Sequence, residues 1–141
     1  MLENSYGDNV MEMVYVITKQ GIAAQKDNLS SIIIREISSK EELEELIDRM
    51  PYIQTIQAPN SKARKELYQC SMEEYNDLEW IKIIKSVYLR MQDKRYDEYE
   101  PAYAERAKKF LYQEIAIQYN IPFDSVEQFL CETIENQLKT F

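Results

Sequence analysis

Asp77-Leu-Glu-Trp-Ile-Lys-Ile-Ile-Lys-Ser-Val-Tyr-Leu-Arg-Met91 is the stretch on which the fold turns. Trp80, Ile81, Ile84, Val87, Tyr88 and Met91 recur at steps of three and four, so a helix gathers them on one arc. Lys82, Lys85 and Ser86 fall opposite. The spacing predicts a helix over 77–94, ended by the polar run Asp93–Glu100 and by Pro101.

On either side the same period continues. Ser39-Lys-Glu-Glu42 is a capping box opening a helix over 39–50, with Leu43, Leu46, Ile47 and Met50 inward and Pro51 as its stop. A second helix over 61–71 carries Ala63, Leu67 and Cys70 inward. Beyond Pro101, Tyr103, Ala104, Ala107, Phe110, Leu111 and Ile115 share a face of a helix over 101–119, which Asn120 and Pro122 close. Asp124-Ser-Val-Glu127 reads as another capping box, opening a helix over 123–138 with Val126, Phe129, Leu130, Ile134 and Leu138 inward.

Residues 1–37 have a different texture. Met13-Val-Tyr-Val-Ile17 and Ser31-Ile-Ile-Ile-Arg-Glu-Ile37 are β-branched and aromatic, the material of strands, with Gly21 and Asp27-Asn28 as turns. The expected fold is mainly α: a five-helix compact domain, 38–141, preceded by a two- or three-strand β appendage, 1–37. Two glycines and four prolines in 141 residues agree with it, because sandwiches and barrels need more turns.

Charge and composition narrow the function classes. The net charge is −8, whereas phosphate-binding surfaces are basic. The acid is unevenly spread: Asn60–Tyr112 holds 11 Lys/Arg against 10 Asp/Glu, and the rest 6 against 15. Only the middle of the chain suits a polyanion. There is no histidine, and Cys70 and Cys131 form no CxxC pair, so no metal and no cofactor is expected. No apolar run is long enough to span a bilayer, and no leader is expected. The expectation is a cytoplasmic protein with two free thiols.

Several stretches, taken in order, resemble the CarD family, whose members bind bacterial RNA polymerase and stabilise the open promoter complex. They are Asp27-Asn-Leu29, Ile34-Arg-Glu-Ile-Ser-Ser-Lys-Glu-Glu-Leu43, Arg49-Met-Pro51 with Gln54-Thr-Ile56, Glu79-Trp-Ile-Lys-Ile-Ile-Lys85 with Tyr88-Leu-Arg90, Phe110-Leu-Tyr-Gln-Glu-Ile-Ala116, and Ile121-Pro122. The likeness runs from about Asp27 to the C-terminus. It implies a regulator of transcription built on the family's helical domain, preceded by the end of a Tudor-like polymerase-interaction domain whose opening strands are missing or degenerate. Many members also carry a tryptophan near the start of the second helix of the helical domain, wedged against the promoter's upstream fork. That position falls on Ser61 or Gln57 here, and neither can insert between bases.

Four residues at that helix start, Ser61, Lys62, Arg64 and Lys65, are the candidate nucleic-acid contacts. Cations in a first turn oppose the helix dipole at about 0.3–1 kcal/mol each, a cost that a bound anion offsets. The alternative is a solvated basic turn. Any promoter-DNA binding is expected to be weak. Trp80 shares an arc with Ile84 and Val87 and reads as core, and the eleven tyrosines read as packing rather than base stacking. Glu114 falls on an apolar arc; with no histidine or partner acid beside it, it is a poor general acid or base and reads as half of a structural ion pair with Arg90. No catalytic residues are assigned. The partners expected are RNA polymerase, promoter DNA and, through pairing of the N-terminal strands, a second copy. The rival reading is a non-catalytic interaction module that self-associates and has lost promoter activity.

Overall fold

The computed structural model describes residues 14–25 and 32–139, and its contacts divide the chain between Ile37 and Ser38 into two compact units. The expected turn at Asp27-Asn28 and the side chain of Leu138 lie outside the described residues.

The first unit holds a three-stranded antiparallel sheet, β1 (Tyr15–Thr18), β2 (Gly21–Ala24) and β3 (Ile33–Glu36), in the order β2-β1-β3. β1 and β2 form a tight hairpin in which Thr18 faces Gly21. Gly21 has a φ of 137°, a conformation a Cβ would resist, and the Thr18 hydroxyl donates to its carbonyl at 3.0 Å. β3 pairs with β1 through a register shift at Ile17/Thr18, and it leaves Ile33 and Ile34 exposed.

The second unit is helical: α1 (Lys40–Arg49), α2 (Ser61–Glu73), α3 (Asp77–Gln92), α4 (Glu100–Tyr119) and α5 (Val126–Lys139). The described residues are thus mainly α, with five helices that follow a small sheet in the sequence. The Ser39 capping box forms as its spacing requires, the hydroxyl accepting from Glu42 N at 3.1 Å and Glu42 accepting from Ser39 N at 2.8 Å. α4 is the hub, packing against each of the other four helices of this unit, and all six residues assigned to its inner face are buried. Trp80 is fully buried and stacks on Phe110, with ring centroids 5.0 Å apart.

Three details differ from the periodic reading. On α2 the inward residues are Tyr68, Ser71 and Met72, while Leu67 and Cys70 are exposed. Tyr68 can be buried because its hydroxyl reaches a carboxylate, Glu100, at 2.7 Å, so a polar aromatic displaces the leucine from the core. On α3, Ile83 and Ser86 are buried while Tyr88 and Met91 are exposed. This helix is flanked by both α2 and α4, so its buried arc is wider and rotated. Its polar side is partly structural: Ser86 Oγ accepts from Ile56 N, and Lys85 Nζ donates to the carbonyls of Met50, Pro51 and Ile53 at 2.7–3.1 Å. Burial holds the Lys85 ammonium below its ordinary pKa. Finally, a 3-10 turn, Phe123–Ser125, stands where the second capping box was expected. Glu127 instead accepts from Tyr112 and pairs with Lys108 at 3.0 Å.

Candidate nucleic-acid interface

The start of α2 is organised by the connection 93–99 between α3 and α4. Asn60 caps the helix, its side chain accepting from Ala63 N at 2.8 Å. Ser61 Oγ then donates to Asp97 Oδ2 at 2.6 Å, and the Tyr99 hydroxyl donates to the Ser61 carbonyl at 2.8 Å. Arg64 lies 3.7 Å from the same Asp97 oxygen, its side chain only 12% exposed. Lys65 Nζ sits 5.5 Å above the Tyr99 ring, a cation–π contact. Lys62 is exposed. The structure therefore brings Ser61, Lys62, Arg64 and Lys65 together on one turn, and adds Asp97 and Tyr99 to them.

Why the connection runs there is fixed by Arg90. α3 ends with Lys94 in the left-handed conformation (φ 57°), and Arg95 N reaches back to Arg90 O at 3.0 Å, a Schellman-type closure without its usual glycine. The Arg90 guanidinium donates to the Arg95 carbonyl and, through Nε, to both oxygens of Glu100 at 2.9 and 3.2 Å. Glu100 is fully buried and also accepts from the Tyr68 hydroxyl and from Asp97 N at 2.7 Å. Burial alone raises the pKa of this carboxyl. The hydrogen bonds from Arg90, Asp97 and Tyr68, with the Arg90 charge, outweigh that and hold it below the usual carboxylate range. Burial and the same carboxylate push the Tyr68 phenol well above its ordinary range.

Arg90 thus pairs with Glu100, and the expected pair with Glu114 is a correction. α3 and α4 run antiparallel, so the end of α3 meets the beginning of α4. Glu114 stands 14 residues further along α4, about 21 Å at helical rise, beside the beginning of α3. There Glu114 Oε1 accepts from Ser38 N at 2.8 Å, the Ser38 hydroxyl donates to Asp77, and Gln118 donates to the Ser38 carbonyl at 2.7 Å.

Sequence reasoning missed Asp97, Tyr99 and Glu100 because the connection looked like solvated charge. One signal was present: Asp97-Glu-Tyr-Glu100 before Pro101 has the spacing at which a glutamate reaches back to the backbone N–H three residues earlier.

Among the described residues, no group of three or more Cys, Asp or Glu side chains is placed to hold a metal ion, and no helix is long and apolar enough to cross a membrane. Cys70 and Cys131 are free and exposed. No family model matches the chain, and no curated protein matches it significantly.

Proposed function

We propose that this chain is a transcription regulator of the CarD kind, acting through RNA polymerase and promoter DNA rather than by catalysis. What carries the reading is the first turn of α2, where the resemblance puts promoter contacts. Three cations lie within four residues, Lys62 and Lys65 are exposed, and Tyr99 holds the turn to the loop that Arg90 fixes. The affinity this provides is small. Arg64 already faces Asp97, the chain is acidic, and Ser61 offers no apolar wedge. Useful occupancy of a promoter then requires polymerase as a tether that raises the local DNA concentration.

The experiment is capture of bacterial core RNA polymerase by the intact chain, followed by the lifetime of an open promoter complex with and without it. Retained polymerase and an altered lifetime are expected; neither appearing would sink the reading. For the isolated protein on forked DNA, the logarithm of affinity against that of salt should have a shallow slope of about 2–3. Changing Lys62, Arg64 and Lys65 together to Ala should flatten it.

A second reading, a self-associating interaction module, draws on β3. Ile33 and Ile34 are exposed, Ile32 before them is 86% exposed, and among the described residues β3 is paired on one side only. A homodimer through this edge is the natural consequence. Sedimentation should then show a dimer that Ile33→Lys dissociates; a monomer at high concentration would count against it.

A further inference from the structure

We infer that Asp97 is a built-in competitor that masks the first turn of α2 in the free protein. This rests on reading that turn as the DNA contact. The carboxylate takes the place a phosphate oxygen would take, accepting from Ser61 Oγ at 2.6 Å and facing Arg64 at 3.7 Å. Arg64, in this contact, is only 12% exposed, whereas Asp97 keeps 42%. Asp97 does not drift, because its own N–H is held by the fully buried Glu100 at 2.7 Å and the neighbouring Arg95 carbonyl by Arg90. The acid is delivered to the cations by a connection whose backbone is held at Arg95 and Asp97. Of the three cations, Lys62 and Lys65 are presented outward and Arg64 is withheld. Arg64 joins them on a phosphate only when it exchanges Asp97 for that phosphate. The exchange of one anion for another contributes little net free energy, which makes the free protein a poor DNA binder however its lysines are placed.

The test is anisotropy of a labelled forked duplex titrated with the full chain at several salt concentrations. Asp97→Asn keeps an acceptor for Ser61 and the backbone N–H for Glu100, removing only the charge. It should bind about five- to tenfold tighter than the parent, with a salt slope steeper by about 0.9, one extra phosphate contact. Glu98→Gln, which makes the same charge change at the adjacent exposed acid, should gain no more than about twofold. Adding Arg64→Ala to Asp97→Asn should erase the gain. In the parent, Arg64→Ala should change affinity less than Lys62→Ala does, an arm that stands even if Asp97→Asn folds poorly. Equal gains for Asp97→Asn and Glu98→Gln, or a loss from Arg64→Ala as large as that from Lys62→Ala, would overturn the inference while leaving the α2 reading intact. Binding that ignores Lys62→Ala and Lys65→Ala would overturn both.

Discussion

Glu100 and Glu114 lie on the same helix, both withdrawn completely from water, and the protein accommodates them at opposite ends of one antiparallel hairpin. At the loop end Glu100 meets a guanidinium, a phenol and a backbone N–H, and these also fix the connection 93–99. At the other end Glu114 meets the backbone of Ser38, whose hydroxyl turns to Asp77 and whose carbonyl takes Gln118. One carboxylate therefore shapes the loop beside α2, and the other anchors the chain just before α1. Residue type and helical face are shared; the partner is decided by which end of the neighbouring helix lies alongside.

The pairing can be broken most sharply at Arg90. Arg90→Ala leaves the buried Glu100 charge without its guanidinium, and its expected cost is about 3–4 kcal/mol in urea unfolding. A double-mutant cycle locates the loss. Arg90→Ala with Glu100→Gln should show coupling of about 1–3 kcal/mol, because each variant strands the other's partner. Arg90→Ala with Glu114→Gln should be additive within about 0.5 kcal/mol, given their separation along the hairpin. The reverse result would restore the pair expected from sequence.

Acid should expose the same difference with a smaller effect. The folded-state pKa of Glu100 lies below its ordinary value near 4.5. The stability this contributes is therefore fully present above the unfolded value and is lost as pH falls through the folded one. The gap in unfolding free energy between the parent and Glu100→Gln should be constant near neutrality and close on acidification below about pH 4.5. Glu127, lowered by its hydrogen bond to Lys108, declines in the same direction, which is why the comparison is with Glu100→Gln rather than with the absolute curve. A gap that persists unchanged to pH 3 would mean that Glu100 contributes shape and not charge.

How far the fold was legible follows from these residues. Helix positions were open to reading because Ser39-Lys-Glu-Glu42, Pro101 and Asn120 are local signals, and local hydrogen bonds honour them. The inner face of α4 was legible because that helix is enclosed by its neighbours and needs apolar residues along its length. The faces of α2 and α3 were not, since Tyr68 and Ser86 become core residues only through partners 32 and 30 residues away. The candidate site divides in the same way. Lys62, Arg64 and Lys65 stand out as adjacent cations, but Asp97 joins them across 36 residues from Ser61, and periodicity carries no information about such a contact.

The smallest effect concerns how the two ends of the hairpin are closed. After α3 the left-handed position is Lys94 (φ 57°), and after α4 it is Asn120 (φ 53°), with Arg95 N to Arg90 O and Ile121 N to Ala116 O completing equivalent turns. Asparagine tolerates this conformation, while a lysine Cβ crowds the following carbonyl. Lys94 is exposed and on the loop side, so replacing it disturbs no packing. Lys94→Gly should stabilise by about 0.5–1 kcal/mol: relief of the left-handed strain exceeds the extra backbone entropy glycine gives the unfolded chain. Asn120→Gly should change stability by no more than about 0.3 kcal/mol, since there is less strain to relieve. The readout is the urea midpoint at unchanged slope. If Lys94→Gly destabilised instead, the loop end would depend on the lysine itself, and the closure there would have to be ascribed to its side chain rather than to the Arg90 clamp.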